Sequence, residues 1–135
     1  MRFVWTSDIH LNHAALAAWE SWIGGVRKAE ADALVISGDI SEADDVEFQL
    51  RRIAEEIRLP IYFVLGNHDF YCSSIAATRQ TISSLSREVK SLTYLTDCQP
   101  IMLDEQTFLV GEDGWGDGTH GDFANSHVQL NDFRL

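Results

Sequence analysis

With 135 residues, the chain has room for one compact domain and not for two ordinary ones. Ten Lys and Arg against 21 Asp and Glu leave a formal net charge of -11, which excludes the clustered basic track that stable nucleic-acid binding requires. Cys72 and Cys98 are too few and too isolated for a disulfide framework, and no run is apolar for long enough to be a signal segment or a bilayer span. The expectation is a soluble, cytoplasmic protein with no membrane partner.

In chain order, the first expected element is a strand over residues 3–5, and a cluster of polar groups, Asp8 and His10, follows it. Leu11, Ala15, Ala18, Trp19 and Trp22 then recur at helical spacing, with Gly24-Gly25 expected to stop the helix and Asn12 expected to cap it. A second strand over residues 34–36 leads into Gly38-Asp39. The stripe Val46, Leu50, Ile53 and Ile57, opposite Arg51, Arg52, Glu55 and Glu56, reads as a helix closed by Pro60. A third strand over residues 61–65 runs into Gly66-Asn67-His68-Asp69. Ser73-Ser74 begins a third helix, with Ile75, Ile82, Leu85 and Val89 on its apolar face. Beyond Thr93 the pattern changes, and residues 100–103 and 107–110 read as a hairpin around Asp104-Glu105-Gln106. Residues 111–121 are glycine-rich and read as a surface loop, in which Gly114-Trp115-Gly116-Asp117 reads equally well as a substrate rim or a turn with a packing Trp.

The three strand runs are continuous rather than alternating, as expected of strands covered on both faces of a mostly parallel sheet. Strand, helix, strand order implies right-handed crossovers and a layered α/β domain over residues 1–135. Sequential parallel strands present their carboxyl ends on one edge, so Asp8, His10, Asp39, Asn67, His68 and Asp69 should meet in one cleft. Gathering carboxylates there raises their repulsion and desolvation penalty unless cations neutralise them. Mixed oxygen and imidazole donors suit Mn, Fe, Zn, Co or Ni, and two such ions can activate water and clamp phosphoryl oxygens together. Taken singly, Asp39 or Asp69 reads as a helix cap or Asx turn, and a solitary His as a surface or core residue. Three ligand clusters at three strand ends favour the metal reading. His13, His120 and His127 read as structural or solvent groups, and Glu42 as a capping group. No glycine fingerprint of a P-loop or Rossmann site follows the first strand.

Asp8-Ile9-His10, Gly38-Asp39-Ile40-Ser41-Glu42 and Gly66-Asn67-His68-Asp69 resemble, in that order, the D-x-H, G-D-x-x-E and G-N-H-D blocks of the calcineurin-like metallophosphoesterases. The resemblance implies an α/β/β/α sandwich, incomplete here because the hairpin only begins its second sheet. It implies two divalent ions: Asp8 and His10 on the first, Asp39 shared, Asn67 on the second. It also implies that Asn67 and His68 face the substrate, that His68 protonates the leaving oxygen, and that Asp69 orients the His68 ring. The activity implied is hydrolysis of phosphate mono- or diesters by a hydroxide bridging the ions. Leu65 and Glu42-Ala43 stand where the protein phosphatase branch carries an Arg and a D-R-G run, so small phosphate esters, nucleotides or phosphodiesters are the expected substrates. The later G-H-x-H pair of the family is absent. That absence leaves two readings open: a fragment of a longer enzyme, or a catalytically impaired binding or scaffold protein.

Overall fold

The computed structural model describes residues 1–114 and 122–127. Its elements run β1 (Phe3–Thr6), α1 (Leu16–Lys28), β2 (Ala33–Ser37), α2 (Val46–Glu56), β3 (Ile61–Val64), α3 (Ile75–Glu88), β4 (Leu92–Tyr94), β5 (Ile101–Asp104) and β6 (Thr107–Leu109). The first four strands form one parallel sheet in the order β1-β2-β3-β4, and β5 and β6 pair antiparallel in a second, two-stranded sheet. This is an α/β fold with a parallel sheet flanked by helices. β4 spans only three residues and gave no strand signal of its own; its pairing with β3 makes it one.

Strand order that follows chain order, joined by right-handed crossovers, puts every connecting helix on the same face of the sheet. Contacts between neighbouring helices agree. Arg27 of α1 pairs with Glu56 of α2, the Arg52 guanidinium lies 3.8 Å over the Trp19 ring, and Arg51 of α2 reaches Glu88 of α3 at 2.7 Å. Among the described residues the two faces of the sheet are covered unequally. Leu34, Ile36, Ile61, Phe63, Leu92 and Tyr94 point to the helices and are buried, whereas Val35, Tyr62, Val64 and Thr93 on the other face are half-buried and Trp5 is exposed. Local apolarity reports neither how many layers cover a strand nor on which side, since that depends on the strand order and on what packs on each face.

Each helix buries a stripe into this one core: Trp19, Ile23 and Val26 from α1, Val46, Leu50 and Ile53 from α2, and Ile82 and Leu85 from α3. Ser74 caps α3, its side chain accepting from the Ala77 N–H at 3.1 Å. The expected stop at Gly24-Gly25 is corrected, because α1 continues to Lys28. A glycine in a helix costs about 1 kcal/mol, while burying Ile23 and Val26 contributes about 1.5–3 kcal/mol each. Packing outweighs propensity here. Past the hairpin, the chain returns to the open face, where Gly111 sits so close to Val64 and Leu95 that an added Cβ would lie 2.7 Å from Val64 Cγ1 and 2.8 Å from Leu95 Cβ.

Candidate metal centre

β1 and β2 are paired with Thr6 beside Ile36, so the loops leaving their carboxyl ends start side by side. They zip together through backbone bonds from Asp8 N to Gly38 O (3.1 Å), His10 N to Asp39 O (3.0 Å) and Leu11 N to Ile40 O (2.8 Å). Asp8, His10 and Asp39 all have positive φ, at 53°, 40° and 51°. A left-handed conformation costs a non-glycine residue about 1–2 kcal/mol, and it persists only where the surroundings fix it, commonly at functional sites. The cross-loop bonds supply that fixation.

The third loop docks on the second backbone to backbone. A Cβ on Gly38, whose φ is 85°, would sit 2.7 Å from Gly66 N, and one on Gly66 would sit 2.2 Å from Asp39 Oδ1. Only glycine permits that approach. Asp39 Oδ1 then accepts the His68 N–H at 3.1 Å. Asn67 leads the 3-10 turn His68–Phe70 in this same loop, half-buried.

The result is a gathering of donors. One ligand atom each from Asp8, His10 and Asp39 lie within 4.8 Å of one another, and His10 Nε2 stands 4.0 Å from Asp39 Oδ2. The His10 and His68 rings meet edge to face, with centroids 4.8 Å apart. Two carboxylates beside an imidazole on strained, pre-formed loops are a donor set that suits a transition-series divalent ion. Three of the expected ligands are thus brought together, and Asn67 and His68 lie on the adjoining loop. His13 and His127 are exposed and outside the group, while Trp115, Gly116, Asp117 and His120 lie outside the described residues.

Asp69 has a different duty from the one expected. Its carboxylate is fully buried and accepts three backbone N–H groups, from Ile40 (2.9 Å), Ser41 (2.8 Å) and Gly66 (2.9 Å). It braces the second loop against the third, and its hydrogen bonds go to these amides rather than to the His68 ring. Burial pushes its pKa up to about 7, helped by the nearby Asp39 charge, while the Ser41, Gly66 and Ile40 amides pull it down.

Three further residues carried no motif signal. Ser7 hydrogen-bonds the Asp8 carboxylate and the Ser37 carbonyl, the latter at 3.2 Å. Tyr71 lies against His68, with ring centroids 4.4 Å apart, and receives the Asn67 amide at 3.3 Å. Asp113 accepts the Leu65 N–H at 2.8 Å, which pins the base of the third loop. Ser7 and Tyr71 flank the first and third blocks and were within reach of a sequence argument, whereas the Leu65–Asp113 contact joins residues 48 apart and no local pattern reports it.

Comparison with known proteins returns one consistent likeness. A family model described as calcineurin-like phosphoesterase matches residues 1–127. A protein of Danio rerio, "Transmembrane protein with metallophosphoesterase domain", is 28% identical over 119 residues, which is 84% of this chain. The chain covers 27% of that relative's length. No solved structure matches the chain.

Proposed function

Because the chain belongs to the calcineurin-like phosphoesterase family, we propose that it is a metal-dependent hydrolase of small phosphate mono- or diesters, nucleotides among them. The observation that carries this reading is the convergence of Asp8, His10 and Asp39 on loops held in strained conformations. On this reading Asp8 and His10 hold a first divalent ion, Asp39 serves both, and Asn67 holds a second. Such ions, when bound, neutralise the carboxylates, polarise the phosphoryl group and activate water. The chain itself orients and exchanges protons. The His68 backbone N–H on Asp39 Oδ1 at 3.1 Å ties the loop of the proton donor to the shared carboxylate. The His68 imidazole then donates a proton to the leaving oxygen, a role that typically contributes about 10²–10⁴-fold in rate.

Among the described residues the ligand group contains one imidazole, His10, and this favours the second reading, a metallophosphoesterase-fold binding protein. One assay separates the two. Hydrolysis of p-nitrophenyl phosphate and its bis ester is measured with Mn²⁺, with chelator, and in Asp39→Asn and His68→Ala. An enzyme shows Mn²⁺-dependent turnover that Asp39→Asn abolishes and His68→Ala lowers by about a hundredfold or more. A protein that binds Mn²⁺ without turnover is the scaffold. If a folded chain neither binds nor hydrolyses, both readings are wrong. We propose a cytoplasmic location as well, with which the exposed thiols of Cys72 and Cys98 are compatible. Among the described residues no helix is long and apolar enough to cross a membrane.

A further inference from the structure

Tyr71 touches both residues that the third loop brings to the centre. Its hydroxyl receives the Asn67 side-chain amide, Nδ2 to Oη at 3.3 Å, and its ring packs against the His68 imidazole at a centroid distance of 4.4 Å and an interplanar angle of 31°. His68 is also met by the His10 ring at 4.8 Å and 77°, so the imidazole is confined by two rings of different orientation. Tyr71 is itself held at both ends of its peptide unit: its N–H donates to the His68 carbonyl at 3.0 Å, and its carbonyl accepts the Ala43 N–H at 3.2 Å. That second bond ties it to the segment following Asp39. The residue is half-buried beside the centre and stiffened by backbone contacts.

From this arrangement we infer that Tyr71 is a positioning residue for the centre, fixing the Asn67 amide and the His68 ring. The inference rests on the phosphoesterase reading for its consequence. A primary amide binds a cation through its oxygen and never usefully through its NH₂ group. A phenol oxygen that accepts from Nδ2 selects which end of the amide faces the tyrosine, and so the orientation in which Oδ1 would meet an ion. Outer partners of this kind typically govern metal affinity or activity by about 10–100-fold. The phenyl ring does the second job, limiting the orientations from which His68 can release a proton.

The two jobs separate by substitution. Tyr71→Phe keeps the ring and removes the hydroxyl; Tyr71→Ala removes both. Thermal melting by circular dichroism checks that each variant folds. In the metal-free chain, Tyr71→Phe should shift the side-chain NH₂ signals of Asn67 in ¹H–¹⁵N spectra. Calorimetric titration with Mn²⁺ should then show about a tenfold loss of affinity. The decisive readout is a double-mutant cycle with Asn67→Asp. A carboxylate offers an oxygen in either orientation, so Tyr71→Phe should cost nothing in that background. A purely structural tyrosine would cost the same in both. Unmoved Asn67 signals, or a Tyr71→Phe penalty that persists with Asn67→Asp, overturns the inference. If the parent chain binds no Mn²⁺, the phosphoesterase reading falls, while the Asn67 signals of the metal-free protein still decide whether Tyr71 holds the amide. Tyr71→Ala supports the second job if kcat falls by more than KM changes relative to Tyr71→Phe, and removes it if the two variants match.

Discussion

The two faces of the parallel sheet are built from the same strands and differ in almost everything else. On one, Leu34, Ile36, Ile61 and Phe63 have no exposed surface, and three helices lock to one another above them through Arg27, Arg51 and Arg52. On the other, Val35, Tyr62 and Val64 are half-buried, and Trp5 keeps 71% of its surface exposed while its indole N–H donates to Ser37 Oγ at 2.8 Å. Stability therefore resides in the helix-covered half. The difference also shows how the site is supported, because the loops carrying Asp8, Asp39 and Asn67 leave strands that, among the described residues, are clamped firmly from one side only. What steadies the carboxyl edge is a set of specific polar and close backbone contacts, notably those of Asp69, Asp113, Gly38 and Gly66.

The largest contrast should appear between neighbours on β3. Phe63 is fully buried and stacks on Tyr94 with centroids 5.5 Å apart, so Phe63→Ala should cost about 3–5 kcal/mol. Tyr62→Ala, one residue earlier but on the open face, should cost less than about 1.5 kcal/mol. Urea unfolding of both variants measures this directly, and equal losses would show that the two faces are equally covered in solution. Asp113 comes next. Its fully buried side chain accepts from Leu65 N (2.8 Å), Thr96 Oγ1 (2.9 Å), Arg79 Nε (2.9 Å) and the Tyr94 hydroxyl. Asp113→Ala leaves these donors without their acceptor and should cost about 2–3 kcal/mol, the exposure of Arg79 moderating the loss. Because the Leu65 amide precedes Gly66, Mn²⁺ affinity should fall with stability.

Gly66→Ala probes the edge alone. The new Cβ would meet Asp39 Oδ1 and Asp39 N, at 2.2 Å and 2.7 Å, and backbone on one side of the clash has little room to give. Overpacking of this sort costs about 1–3 kcal/mol, and the carboxylate that must move is the proposed shared ligand. The expected outcome is a modest drop in urea midpoint with a disproportionate loss of Mn²⁺ binding, read by calorimetry. A variant that loses stability but binds as before would mean that Asp39 is not central to the site.

Legibility in the sequence followed the same division. Apolar runs at residues 3–5, 34–36 and 61–65 located three strands, and Ser74 and the 3.6-residue stripes located three helices, because burial in one core imposes periodicity on residues close in sequence. β4 was invisible: three residues carry no period, and Leu92–Tyr94 is a strand because β3 lies beside it. The placing of all three helices on one face depends on the strand order β1-β2-β3-β4, which no local pattern encodes. At the site, Asp8, His10 and Asp39 were legible because strand ends in a parallel sheet converge by topology. Asp69 adjoins His68 in sequence, but its carboxylate accepts from the buried amides of Ile40, Ser41 and Gly66, donors that no local pattern announces. Tyr71 escaped notice because its meaning lies in which atoms of Asn67 and His68 it touches.

The smallest expected effect is the most searching test of the open face. Trp5 belongs to the edge strand β1, is 71% exposed and makes one side-chain hydrogen bond, to Ser37, itself exposed. Replacing an exposed residue away from caps, cavities and charge networks usually changes stability by less than about 0.5 kcal/mol. Trp5→Lys also places a charge on a sheet edge, a common device against strand-to-strand association. The urea midpoint should therefore stay within error of the parent, and Mn²⁺ affinity with it, since Trp5 precedes Asp8 by three residues and points away from the helical core. A loss above about 1 kcal/mol would require Trp5 to be buried in solution, which means that some further layer covers this face. In that case the contrast between the faces would vanish, and the modest costs expected for Tyr62→Ala would have to be revised upward along with it.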